Sequence, residues 1–144
     1  MTRRSTNVDP PSNLKLAKSL ESFFKGRQEI ILVFLFGSSA SNRLRPSSDV
    51  DIGILFESVP EIEAKIALTQ ELSSILKREV DLVVLDNASP ILRMQVLKHG
   101  ILIYSRTKKD FYLFFAATVN QYDDLKRIRK NCEESILKGR IYAG

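Results

Sequence analysis

Two apolar strands joined by a polar loop constrain the fold of this chain more than any other segment. Residues Ile30–Phe36 are continuously apolar and rich in β-branched and aromatic side chains, and they end at Gly37-Ser38. Ten residues later, Asp49-Val50-Asp51 opens a second apolar run that ends at Phe56. A continuous apolar run of this length is typical of a strand that is buried on both faces. The segment therefore predicts two buried strands, over 30–36 and about 50–56.

The two aspartates at the start of the second strand are candidate metal ligands. Asp49 and Asp51 are two residues apart, so on a strand their carboxylates point to the same face and form a paired oxygen site for a divalent cation. Gly53 shares that face, and its missing side chain is expected to leave room for a ligand. The opposite face, with Val50, Ile52, Ile54 and Phe56, is expected to enter the core. The competing interpretation is that the aspartates are a turn cap and a strand-edge residue.

Gly37 and Ser38 are candidates for binding phosphate. Glycine lets the backbone turn and approach a ligand closely, and serine offers a hydroxyl and an N–H to a phosphate oxygen. Phosphate and metal would then meet at one end of the sheet. Taken alone, however, Gly-Ser is a common turn pair.

Asp81 is the third candidate carboxylate, near the start of the apolar run Val80–Leu85. A carboxylate entering a strand is costly unless a cation, a hydrogen bond or water satisfies it, although it can also be an exposed strand residue. If the two strands are neighbours, Asp49, Asp51 and Asp81 form a cluster whose repulsion Mg²⁺ relieves. Such a cluster supports two-metal phosphoryl transfer, with the ions about 4 Å apart.

Helical and strand patterns alternate along the chain, which predicts an α/β domain. The predicted elements are a helix over about 13–25, strands at 30–36 and about 50–56, a helix from about Pro60 to Lys77-Arg78, a strand over Val80–Leu85, a short helix from Pro90 capped by Ser89 and closed by Gly100, a strand over Ile101–Tyr104, and a helix over about 107–138. The stripe expected to face the core in the second helix contains Ile62, Ile66, Leu68 or Thr69, Leu72 and Ile75 or Leu76. The last helix carries an apolar face that includes Phe111, Phe114, Phe115, Val119, Tyr122, Leu125, Ile128, Cys132 and Ile136.

Length and composition fit one ordinary domain. The chain has 144 residues, of which 44% are hydrophobic and 27% charged, so we expect a polar, disordered leader over 1–11 and a single domain over 12–144. Its longest apolar stretch is too short to cross a bilayer and the first residues lack the apolar centre of a secretion signal, so a cytoplasmic location is expected. The single cysteine, Cys132, excludes an internal disulfide and a multi-cysteine zinc site.

The formal charge of +5 is unevenly distributed. Counting Lys, Arg, Asp and Glu, residues 1–45 carry +5, residues 46–104 carry −4 and residues 105–144 carry +4. An acidic centre between basic ends suits a phosphate-bearing ligand that is bound by both metal and cationic side chains. The alternative is an ordinary solvated surface, and this charge alone does not indicate a nucleic-acid partner.

In combination, these motifs resemble the signature of the polymerase-β-like nucleotidyltransferases. Gly37-Ser38, the ten-residue spacer, Asp49-Val50-Asp51 and Asp81 carry the resemblance, which extends from about 28 to 138. Size and element order are most similar to the minimal nucleotidyltransferase (MNT) branch, the antitoxins that pair with HEPN ribonuclease toxins. The resemblance implies a mixed sheet flanked by helices, with a long C-terminal helix. It also implies an Mg²⁺-dependent enzyme that transfers AMP from ATP to a tyrosine hydroxyl of the toxin and so neutralises it.

The same resemblance implies a role for each candidate residue. Asp49 and Asp51 would bind two Mg²⁺ ions, Asp81 would be the third metal carboxylate and would help to deprotonate the acceptor, and Gly37 and Ser38 would hold the phosphates. Many relatives follow the Gly-Ser pair with a basic residue and Ala-Arg-Gly, whereas this chain has Ser39-Ala40-Ser41-Asn42. Arg43 or Arg45 is therefore expected to reach the phosphates instead, and the competing interpretation is that both are solvated loop charges. The implied partners are ATP and the toxin, in a hetero-oligomer, with no nucleic acid and no membrane.

Three alternatives remain open at this point. The departure after Ser38 allows a catalytically weak or inactive antitoxin that neutralises its partner by binding through the last helix. Nucleotide transfer to a small molecule is a weaker option, since nothing resembles the additional substrate domain of those enzymes. The spacing of Arg93 and His99 also matches a motif of the HEPN ribonucleases themselves, but those are helical bundles, and His99 has a simpler role at a helix C-terminus.

Overall fold

The computed structural model describes residues 12–40 and 49–137, and these form four helices and four strands. In chain order the elements are α1 (Ser12–Phe24), β1 (Ile30–Phe36), β2 (Val50–Phe56), α2 (Ile62–Leu76), β3 (Val80–Val84), α3 (Pro90–His99), β4 (Ile101–Ser105) and α4 (Lys108–Leu137), with 3₁₀ turns at Gly37–Ala40 and Leu85–Asn87. The expected α/β class is confirmed. The leader at 1–11 and the loop at 41–48 lie outside the described residues.

The four strands form one mixed sheet in the order β3-β2-β1-β4. Strand β1 pairs antiparallel with β2 and with β4, whereas β2 and β3 are parallel. A parallel pair needs a crossover connection, and α2 supplies it. Because the chain crosses over in this way, the starts of β2 and β3 lie side by side, next to the end of β1.

Both faces of the sheet are covered, so β1 is buried on both sides as predicted. Val33 and Leu35 face one cluster, which α1 and α2 complete, whereas Leu32 and Phe34 face a second cluster, which α3 and α4 complete. The side chains of Val50, Ile52 and Ile54 are fully buried in the first cluster, and Phe56 is 6% exposed there. The predicted division of β2 into a core face and a polar face is therefore confirmed on its core side.

The predicted apolar stripe of α2 is wrong in part. Leu72 is fully buried and Leu68 and Leu76 pack against the first cluster, but Ile62 and Ile66 are 69% and 50% exposed. Ile75 is also exposed, at 46%. A single layer of sheet covers only a narrow strip of a helix, so the isoleucines on either side of that strip face outward. The second helix consequently presents apolar side chains to solvent.

Two other elements depart from their predicted form. The third strand ends at Val84 because Leu85 turns into a 3₁₀ segment and inserts its side chain into the second cluster. In α4, Phe114 and Thr118 face the body of the protein, whereas Phe115 is 48% exposed. None of the helices within the described ranges is long and apolar enough to cross a membrane.

Arg93 and His99, whose spacing matches a ribonuclease motif, both have structural roles in this fold. Its Nε donates to the carbonyl oxygen of Leu85 at 2.8 Å, its Nη2 donates to that of Asp86 at 2.9 Å, and the guanidinium lies 5.4 Å from the ring centroid of Phe114. His99 is the exposed last residue of α3, where a basic residue suits the helix dipole. Arg93 therefore holds the turn after β3 against α3 and α4.

Arg93→Ala is expected to lower the free energy of unfolding by about 2 to 3 kcal/mol, because two carbonyl groups lose a charged donor. Arg127→Ala is the matched control, since Arg127 pairs with Asp124 at the exposed surface of α4, and an exposed pair contributes at most about 1 kcal/mol. Urea denaturation followed by circular dichroism measures both. Equal losses in the two variants would contradict the assigned role.

Candidate active site

The sheet register brings two of the predicted carboxylates together. Asp51 of β2 and Asp81 of β3 are direct Cα partners in the parallel pair, and neighbouring strands are about 4.8 Å apart. Partners in register point to the same face of a sheet, so the two side chains lie side by side. Asp49 immediately precedes β2 and, like Asp81, is exposed, whereas Asp51 is half-buried. The end of the sheet therefore carries one carboxylate pair, Asp51 and Asp81, with Asp49 just before the same strand as Asp51.

Asp51 experiences this crowding most strongly. Burial raises the pKa of the Asp51 carboxyl above its usual value, and the negative charges of Asp81 and then Asp49 raise that pKa further. Asp49 belongs to the same segment as Asp51, whereas Asp81 comes from a strand 30 residues further along the chain. Carboxylates whose negative charges act on one another in this way favour a bound cation.

Gly37 lies directly against the Asp51 carboxylate. The Cα of Phe36 is the register partner of Asp51, and Gly37 follows with a φ of +64°. A Cβ placed on Gly37 would collide with Oδ2 of Asp51. Both the left-handed backbone and the close approach therefore require glycine at this position. Ser38 follows Gly37 in the 3₁₀ turn and is exposed.

Gly53 does not have its predicted role. It is buried, and a Cβ on Gly53 would lie 3.3 Å from Cδ2 of Leu85 and in contact with the rest of that side chain. The glycine therefore makes room for Leu85 of the second cluster and not for a ligand. Sequence periodicity placed Gly53 on the correct face, but it could not show that the polar part of this face ends after Asp51.

The donor set at this end of the sheet fits a hard divalent cation. Carboxylate oxygens are the ligands that Mg²⁺ prefers, so Asp51 and Asp81, with Asp49 just before the same strand, are the side chains that would hold such an ion. Within residues 12–40 and 49–137, no three His, Cys, Asp or Glu side chains converge as closely as ligands of one ion do. Arg43 and Arg45, the predicted phosphate ligands, lie outside the described residues.

A groove beside Asp81 was not predicted. It has a volume of about 470 Å³ and extends from Asp81 along β3 to the start of α2, where Val59, Ile62 and Lys65 line it. Asn87 and Leu92 line its other side. Residues 59–65 carry no motif, and their place next to β3 depends on β3 lying at the edge of the sheet. No signal in the sequence reports that position.

A mixed sheet with paired carboxylates on neighbouring strands, beside a glycine-serine turn, defines a nucleotidyltransferase of the polymerase-β-like class. The profile of the family described as polymerase beta, nucleotidyltransferase matches residues 18–109. That range includes β1, β2 and β3 and therefore all of the predicted carboxylates. The chain belongs to this family.

Relatives with assigned activities are similar over most of their length. The protein adenylyltransferase MntA of Shewanella oneidensis is 33% identical over 106 residues, which are 74% of this chain and 76% of MntA. A crystal structure of a toxin-antitoxin with AMP-PNP matches with a TM-score of 0.69 and 30% identity, over 88% of this chain and 98% of the other. The MNT antitoxin bound to a tri-AMPylated HEPN toxin from the same organism matches with a TM-score of 0.63 and 30% identity, over 87% and 95% of the two chains.

Proposed function

We propose that this chain is an antitoxin that transfers AMP from ATP to a hydroxyl, expected to be that of a tyrosine, on a HEPN-type toxin and thereby neutralises the toxin. The observation that carries the proposal is the in-register pair Asp51 and Asp81 beside Gly37. The similarity to MntA, a protein adenylyltransferase, and to an antitoxin bound to its AMPylated toxin supports the same activity and the same class of partner.

The site residues then have distinct roles. Asp49, Asp51 and Asp81 would hold Mg²⁺, which would neutralise phosphate charge and lower the pKa of the acceptor hydroxyl. The backbone at Gly37 and the N–H and hydroxyl of Ser38 bind phosphate oxygens. Arg43 and Arg45 remain predicted phosphate ligands in the loop between β1 and β2.

The reaction is an in-line displacement at the α-phosphorus. The acceptor oxygen forms a bond to phosphorus as the bond to the pyrophosphate oxygen breaks, and the proton of the acceptor passes to the carboxylate of Asp81. Asp51, packed against Gly37, would help to hold the cation beside the α-phosphate, while the backbone N–H groups of the Gly37-Ser38 turn orient the phosphate oxygens. Positioning and charge stabilisation supply most of the acceleration in phosphoryl transfer.

The direct test is incubation of the chain with the toxin encoded in the neighbouring gene, ATP and Mg²⁺, followed by the intact mass of the toxin. A gain of one or more AMP units is expected, and no gain is expected with an ATP analogue whose α,β-bridge is methylene. Omitting Mg²⁺ or adding a chelator should also prevent the gain.

A second candidate function is neutralisation by binding alone. It is favoured by exposed apolar side chains on α4, where Tyr112 is 65%, Leu113 58% and Phe115 48% exposed. In that case the toxin would lose ribonuclease activity without any gain in mass. The same incubation therefore distinguishes the two functions when the toxin's ribonuclease activity is measured alongside its mass.

A further inference from the structure

The outer edge of β3 carries backbone groups that no described strand pairs. In the parallel pair, the N–H of Val50 donates to the carbonyl of Glu79 at 2.9 Å, and Asp81 is the register partner of Asp51. Successive residues of a strand direct their backbone N–H and C=O groups to opposite sides. Asp81 and Val83 therefore direct these groups to β2, whereas Leu82 and Val84 direct theirs away from the sheet. Since β3 ends the sheet order, the outward groups are available to an additional strand.

The groove described above runs along this edge. From Asp81 to Val84 it spans about 10 Å, at roughly 3.3 Å per residue, which is the length of a four-residue strand. Val59 and Ile62, which are 52% and 69% exposed, form its apolar wall. The groove therefore offers both elements of strand addition, namely open backbone groups for affinity and side-chain contacts for selectivity.

Lys65 gives the groove a charge. Its ammonium forms no ion pair with any residue in the described ranges, although it is half-buried in the groove wall. A cation in this position favours an acidic side chain on whatever occupies the groove.

The order of the strands decides which reactant enters from this side. Gly37 and Ser38 lie at the end of β1, Asp51 lies on the central strand β2, and Asp81 lies on β3. In-line displacement requires the attacking hydroxyl and the leaving pyrophosphate on opposite sides of the α-phosphorus. If Gly37 and Ser38 bind the phosphates at the end of β1, the acceptor hydroxyl approaches the α-phosphorus from the side of β3. The groove begins on that side, at Asp81.

We propose that an extended segment of the partner protein binds as an additional strand at the outer edge of β3 and delivers its acceptor hydroxyl to Asp81. The segment places apolar side chains against Val59 and Ile62 and an acidic side chain near Lys65. This inference rests on the proposed function and adds the surface that selects the acceptor.

Two groove variants and one control test the proposal. Ile62→Glu and Lys65→Glu are each expected to raise the KM for the partner protein about tenfold or more, because a charge is placed against an apolar or acidic side chain. Ile75→Glu is the matched control, since Ile75 lies on the same helix, is 46% exposed and does not line the groove. All three should bind the methylene-bridged ATP analogue with Mg²⁺ as tightly as the wild-type chain.

Hydrogen exchange provides an independent measurement. Formation of the complex should slow exchange of the amides of Leu82 and Val84, within a peptide covering residues 80–85, because they gain hydrogen-bond partners. Unchanged exchange in that peptide, or an Ile62→Glu variant with the KM of Ile75→Glu, would overturn the proposal. Protection that grows with the concentration of this chain alone would assign the edge to a second copy instead.

The proposed function can fail separately. If the wild-type chain transfers no AMP, adenylyl transfer itself is rejected, and the exchange measurement still decides whether the partner binds at β3. If the wild-type chain transfers AMP while the groove variants match the control, only the docking surface is rejected.

Discussion

Replacing Asp51 with asparagine is expected to reduce AMP transfer by about 10³-fold or more. Asp51 lies on the central strand of the three candidate carboxylates, and the variant removes a proposed metal ligand. Metal-ion stabilisation of transition-state charge amounts to several kcal/mol, and each 1.4 kcal/mol is a factor of about ten. The measurement is the rate of label transfer from α-labelled ATP to the partner. Transfer at the wild-type rate would reject Asp51 as a ligand.

The same variant should fold at least as stably as the wild-type chain. Burial and the charges of Asp81 and Asp49 disfavour the ionised Asp51 carboxyl, and a neutral amide removes that repulsion. In the absence of Mg²⁺ we therefore expect a melting temperature that is unchanged or higher, measured by circular dichroism. Asp123→Asn on the exposed surface of α4 is the control and should alter neither property. Loss of transfer together with a large drop in melting temperature would indicate a structural role instead.

Replacing Gly37 with alanine is expected to reduce AMP transfer by about 10²-fold. The new Cβ would collide with Oδ2 of Asp51, so either the carboxylate or the turn must shift, and a displacement of about 1 Å of a reacting group costs about this factor. The left-handed φ of +64° adds a backbone cost of about 1 to 2 kcal/mol to folding. Label transfer and urea denaturation measure the two effects.

Gly26 provides a control that separates collision from strain. Its φ is +87°, so alanine is also strained there, but a Cβ on Gly26 meets no atom within 4 Å. Gly26→Ala should therefore lose a similar amount of stability and keep full activity. Equal activity losses in the two variants would show that strain, and not contact with Asp51, explains the effect at Gly37.

Much of the secondary structure could be predicted because its signals are local. The apolar runs at β1 and β2 gave bounds that the structure reproduces, and the predicted Ser89 cap is present, with its Oγ accepting from the N–H of Leu92. The exposure of Ile62, Ile66 and Ile75 could not be predicted in this way. Periodicity reports that a helix has an apolar side, but the width of the covered strip depends on the surface against which the helix packs.

For the candidate active site, too, only the features that depend on local sequence could be predicted. Spacing predicts Asp49 and Asp51 on one face, because side chains alternate along every strand. In the structure β2 begins at Val50, so Asp49 lies just before it. The roles of Gly37, Ser38, Asp49, Asp51 and Asp81 stay predictions that the variants above test. Those of Arg43 and Arg45 stay predictions as well, in a loop that the structure does not describe.

Local sequence determined where this protein forms strands and which carboxylates precede or open a strand, because these properties depend on neighbours within a few residues. Tertiary structure alone decided that β2 and β3 are parallel neighbours, which aligns Asp51 with Asp81 across about 30 residues of chain. It also decided that Gly53 accommodates Leu85 and that β3 lies at an edge beside Lys65. Strand pairing and helix packing bring together residues that are far apart in the chain. A local sequence pattern contains no information about such contacts, because they depend on the topology of the whole domain.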